Sequence, residues 1–296
     1  MRGGLSILLA GFLMLSALGC GKGGRAGGRI RAVATIPVLQ DIVANIGGEK
    51  LEVKSLITGL ENPHTYEPKA SDIRAVAEAD VLFEIGLGLE AWVERLVKGA
   101  GNPKLKVVDV SQGIGVIERR GDGKGGNPHI WMDPQNVKVI ADNIRRALSE
   151  LRPQEAGYFA GRYSSYTSKL DSLTLEISRE VSALEDRRVV SYPPAFPYFF
   201  RRFGFVEVAR IIDVPGKEPS AKRISEIIDL VRGEKVKVIV TMPQYSGRVP
   251  DMIAAETGAE VVELTPLLGA FPGTETYIGM ISYDASELLR ALSGDR

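Results

Sequence analysis

Only two histidines occur among the 296 residues, and both stand in the same local setting. His64 lies in Asn62-Pro63-His64-Thr65-Tyr66-Glu67-Pro68, and His129 in Asn127-Pro128-His129-Ile130-Trp131-Met132-Asp133-Pro134. Proline fixes its own φ and restricts the residue before it, so each imidazole sits on a stiff loop. A neutral imidazole is a common ligand for transition metals near neutral pH. Two such loops meeting in one cleft would supply half of a tetrahedral site. Either histidine alone is more readily a structural or surface residue; the repeated Asn-Pro-His is what asks for a shared role.

Other chemistries have weaker support. The chain has no G-x-S-x-G elbow, no phosphate-binding G-x-x-x-x-G-K-[ST] loop and no H-E-x-x-H pair. Gly86-Leu87-Gly88 lacks the third glycine of a dinucleotide fingerprint and reads as a tight turn. The aromatic stretch 192–203 could line a pocket, but core packing is the more ordinary use of such residues. No constellation for acid–base or nucleophilic work stands out, so the reading is not an enzyme. Lysine plus arginine equals aspartate plus glutamate at 37 each. No global basic field exists for nucleic acid, which is therefore not an expected partner.

The first 20 residues differ from the rest. Arg2 precedes an uncharged, mostly apolar run over 5–18, followed by Gly19 and Cys20. That run is short for a membrane span of about 20 residues and fits a secretory signal over 1–19. Its alternative is an uncleaved anchor helix. Cys20 is the only cysteine, so no intramolecular disulfide can form. Ser16-Ala17-Leu18-Gly19-Cys20 resembles a bacterial lipobox, which makes Cys20 the candidate lipidation site. Lipid there would tether the chain to a membrane without spanning it. The glycine-rich segment up to residue 29 reads as a flexible tether.

Beyond it, β-rich runs alternate with runs of helical spacing. Strands are predicted over 30–36, 51–57, 81–85 and 105–110, with helices over 37–46, 70–79, 89–97 and 133–151. Asp133 and Pro134 suit the start of the last of these. Residues 153–184 carry apolar side chains at three- and four-residue steps, which predicts one helix of roughly 45 Å. The alternation then resumes: strands over 188–192, 205–212, 236–241 and 260–264, helices over 196–203, 220–231, 249–257 and 276–292. The fold class is thus α/β: two β/α lobes (30–151 and 186–296) with mostly parallel sheets, joined by one long helix (152–185). A ligand cleft is expected between the lobes, near the carboxyl ends of the strands.

These motifs together resemble the metal-binding lipoproteins of zinc and manganese ABC transporters. The resemblance rests on 62–68, on Gly86-Leu87-Gly88-Leu89-Glu90-Ala91-Trp92, on 129–134, on Ala195-Phe196-Pro197-Tyr198-Phe199, on Glu218-Pro219-Ser220 and on Glu256-Thr257-Gly258-Ala259. It implies two α/β lobes bridged by a long helix, and zinc or manganese as transported ligand with no catalytic cofactor. The partner would be an ABC transporter permease, the protein monomeric, its place the periplasm or the outer cell surface. In that family the metal is held by three histidines and one carboxylate, or by two of each. His64 and His129 match the first two ligand positions. The third position carries Pro193 and the fourth Thr265, neither of which supplies the usual donor. Glu67 or Tyr192 with water could complete the set. The site could instead take a small organic solute or metal chelate, or the chain could be a surface adhesin with a vestigial site. If the histidines bind metal, affinity should fall below pH about 6.5, the ordinary imidazole value.

Overall fold

The computed structural model describes residues 28–59, 61–118, 125–192, 194–212 and 218–294. Cys20, the signal segment and Pro193 lie outside the described residues. Among these, eight strands and nine helices form two four-stranded, all-parallel sheets.

The first lobe runs β1 (Ile30–Ala34), α1 (Pro37–Gly47), β2 (Leu51–Ser55), α2 (Ala70–Glu78), β3 (Val81–Glu84), α3 (Val93–Ala100), β4 (Lys106–Asp109) and α4 (Pro134–Leu151). Its strand order is β2-β1-β3-β4. The second lobe runs β5 (Arg188–Ser191), α6 (Pro197–Phe203), β6 (Val206–Arg210), α7 (Ala221–Glu234), β7 (Val238–Thr241), α8 (Arg248–Thr257), β8 (Glu260–Glu263) and α9 (Tyr277–Ser293), with the matching order β6-β5-β7-β8. Between them lies α5 (Ala156–Ser182), 27 residues and so about 40 Å long. In each sheet the order reverses beside the first strand. That reversal opens a crevice at the carboxyl ends, where α/β proteins place ligands.

Local chemistry explains the elements. Val38, Leu39, Ile42, Val43 and Ile46 share one face of α1 and are fully buried. Each such burial contributes about 1.5–3 kcal/mol. Asp133 caps α4 by accepting from Gln135 N at 2.8 Å, and Ser220 caps α7 by accepting from Arg223 N at 3.2 Å. The helix expected over 89–97 starts only at Val93. The turn before it is held open because Gly86, Leu87 and Gly88 all have positive φ. Glu90 also bends back to accept from Ile85 N, Gly86 N and the Thr35 hydroxyl.

One continuous core runs from the first sheet through α4 and α5 into α6 and α9. Phe159, Tyr166, Leu170, Leu173, Ile177 and Val181 carry α5 through it. Phe196, Phe199, Phe200 and Phe203 are buried in the same core, so the aromatic stretch is packing. A smaller cluster lies beneath α7 and α8. No helix among the described residues is long and apolar enough to cross a membrane.

Candidate metal site

Both histidines lie on loops that leave the carboxyl side of the first sheet. His64 is on the loop between β2 and α2, and His129 precedes the single turn Ile130–Met132 that leads into α4. The shared Asn-Pro-His context has a common structural cause. Asn62 Oδ1 accepts from His64 N at 2.9 Å, and Asn127 Oδ1 accepts from His129 N at 3.1 Å. In each case the asparagine side chain folds over the proline, mimics a backbone turn and fixes the next residue. The loops are anchored further. Trp92 Nε1 donates to Pro63 O at 2.9 Å, and Trp131 Nε1 donates to Pro266 O at 2.7 Å. The Gly86–Trp92 motif thus supports the His64 loop from below.

The two rings approach to 5.6 Å between centroids, tilted by 54°. His129 is 7% exposed. Burial, and then the neighbouring His64, push its pKa down to about 3. Burial also lowers that of His64. Both rings are therefore neutral at pH 7, the form that coordinates metal. Proton competition accordingly belongs at lower pH than the ordinary imidazole value near 6.5 implies, a correction to the sequence expectation.

The tautomer of His129 is set by Asn127. The Asn127 amide donates to Pro194 O at 2.9 Å and to Glu118 Oε2 at 3.0 Å, which turns its carbonyl toward the ring. His129 Nδ1 lies 2.9 Å from that carbonyl oxygen. An oxygen can only accept, so Nδ1 carries the proton and Nε2 keeps the lone pair. His64 Nε2 is buried and has no hydrogen-bond partner.

The pocket is walled by both lobes: His64, His129 and Trp131 from the first, Pro194, Gln244 and Tyr245 from the second. The space they enclose is about 20 Å³. That is room for about one water-sized sphere, or one ion.

The other sequence candidates do not enter it. Glu67 is exposed and away from the pocket wall. The buried Tyr192 ring packs edge-on against Tyr245, at 5.6 Å, behind the wall. Thr265 is fully buried. Its hydroxyl donates to Leu267 O at 2.6 Å and its N–H donates to Asp284 at 2.9 Å. Among the described residues no group of three or more His, Cys, Asp and Glu side chains could hold an ion. Gln244, just beyond the carboxyl end of β7, is a wall residue that the sequence reading missed. Its one signal was a polar residue right after Pro243 at a strand end.

The family of periplasmic A components of zinc-uptake complexes (ZnuA) matches residues 32–291. The chain is 29% identical over 292 residues to the manganese-binding lipoprotein MntA of Halalkalibacterium halodurans, covering 95% of this chain and 96% of that one. It is 29% identical over 261 residues to the iron-binding protein YfeA of Yersinia pestis, covering 86% and 83%. A crystal structure of ZnuA superposes with a TM-score of 0.80 at 30% identity, covering 89% of this chain and 99% of that one.

Proposed function

This chain belongs to the family of periplasmic A components of zinc-uptake complexes, and we propose that it captures a divalent transition metal, zinc or manganese, outside the cytoplasm for the permease of an ABC importer. One observation carries the reading. One buried and one half-buried imidazole, both neutral at pH 7, approach to 5.6 Å beside a space the size of one ion, at the seam between two lobes. The relatives' names as manganese- and iron-binding proteins support it. Capture needs no turnover. His64 and His129 bind through neutral nitrogens, and Asn127 orients the second ring. The protein acts as a monomer tethered by lipid on Cys20, and its role is binding rather than catalysis.

The enclosed volume speaks against the organic-solute reading, since drug-sized ligands fill pockets of about 300–1,000 Å³. The test is a calorimetric titration of the purified, chelator-stripped chain with zinc and with manganese, beside the His64→Ala, His129→Ala double variant. One-to-one binding that disappears in the double variant is the expected result. Binding that survives the double substitution, or no metal binding by the unsubstituted chain, overturns the reading.

A further inference from the structure

Two buried polar atoms in one pocket have no partner: His64 Nε2 and Gln244 Oε1. A buried polar atom without a partner is costly and calls for an explanation, and two of them converging on one pocket point to a shared ligand. The orientation of the Gln244 amide is decided by chemistry. Its Nε2 donates to Gly59 O at 3.1 Å, and a backbone carbonyl can only accept. The side-chain oxygen is therefore the atom left over. His64 and Gln244 come from opposite lobes, 180 residues apart in sequence, yet line the same small space with His129. A cation there would take the lone pairs of Gln244 Oε1 and His129 Nε2, and that of His64 Nε2 with the His64 proton on Nδ1; a single water would serve as well.

Resting on the metal-capture reading above, we propose that Gln244 Oε1 is the third protein donor to the captured ion, so that this chain binds with a neutral set of two imidazole nitrogens and one amide oxygen. The role follows from what is missing elsewhere. Thr265 spends its hydroxyl on Leu267 O, and no carboxylate lines the pocket. A carboxylate-free, imidazole-led set selects by intrinsic affinity. Zinc lies above manganese in that order, and manganese favours carboxylate oxygens. The cargo is thus zinc in preference to manganese. The same amide joins the lobes through Gly59, so the ion and the closed arrangement of the lobes share one side chain.

The test uses the purified full chain with zinc chloride, manganese chloride and cobalt chloride as probes, and the Gln244→Leu and Gln244→Glu variants. Gln244→Leu should lose zinc affinity by roughly tenfold or more and change the visible cobalt spectrum, which reports the donor set. Gln244→Glu cannot donate to Gly59 but keeps an oxygen donor and adds charge. It should hold or raise zinc affinity and raise manganese affinity by a larger factor. If Gln244→Leu binds zinc as the unsubstituted chain does, with an unchanged cobalt spectrum, the oxygen serves a bridging water and the proposal is overturned. If Gln244→Glu loses as much affinity as Gln244→Leu, the bond to Gly59 matters and ligation does not. Either result leaves metal capture intact provided the double histidine variant still abolishes binding. Failure of the unsubstituted chain to bind any of the three ions removes both readings.

Discussion

Replacing Asn127 by alanine tests how His129 is prepared. The side chain makes four contacts: it accepts from His129 N and Nδ1, and donates to Pro194 O and Glu118 Oε2. Two of the groups left behind, the His129 N–H and the Pro194 carbonyl, bond to it inside the fold. A buried polar group left unpaired costs about 1–3 kcal/mol, so with two such groups the variant should lose about 2–6 kcal/mol of stability. Metal affinity should fall as well, because the ring is free to put its proton on Nε2 and to rotate. Losing a partner of this kind costs about 10–100-fold in affinity, equivalent to about 1.4–2.7 kcal/mol. Asn127→Asp separates the two effects. It keeps an acceptor for Nδ1 and loses both donated bonds, so it should lose stability while keeping most of the affinity. Zinc titration by calorimetry and thermal unfolding of the metal-free chain measure both. Affinity of Asn127→Ala within twofold of the unsubstituted chain would refute the argument. Equal affinity losses in the alanine and aspartate variants would trace the effect to the Pro194 contact instead.

Stability of the metal-free chain should depend on pH through His129. Its folded pKa is about 3 and its unfolded value about 6.5, so between these the unfolded chain binds more protons and stability falls as pH falls. At pH 5 this residue alone should have cost about 2 kcal/mol relative to pH 7, measured by urea unfolding, and His129→Gln should abolish that part of the slope. An unchanged slope in the variant would count against the assignment. Arg202→Met should destabilise by about 2 kcal/mol in thermal unfolding. It strips the paired guanidinium, at 2.6 and 2.8 Å, from Asp133, which is 1% exposed. The loss stays below that of a fully buried pair because Arg202 is itself partly exposed. Gly86→Ala should cost more than Gly88→Ala. Both have φ near 80°, a strain of about 1–2 kcal/mol. A Cβ on Gly86 would also lie 2.6 Å from the Asp109 carboxyl carbon, while one on Gly88 meets open space. Equal losses would show that only backbone strain matters there.

Most of the frame was legible in the sequence because it depends on local periodicity. The eight strands and the long helix follow from apolar spacing, and their ends move by only a few residues. Helix α3 is the exception, since its start depends on Glu90 reaching back to Gly86 and Ile85. The paired histidines were visible too, because Asn-Pro-His constrains its own backbone within three residues. What the sequence determined is thus where the stiff loops lie and which two imidazoles they carry. Only the tertiary structure decided the rest of the site. That Asn127 turns its carbonyl to His129, because its amide donates to Pro194 O, and that Gln244 turns its amide to Gly59 depend on groups far apart in sequence. The last contact spans 185 residues, and no local pattern encodes it. The size of the pocket is likewise a property of how two lobes close on a shared core, and that closure makes it a space for one ion.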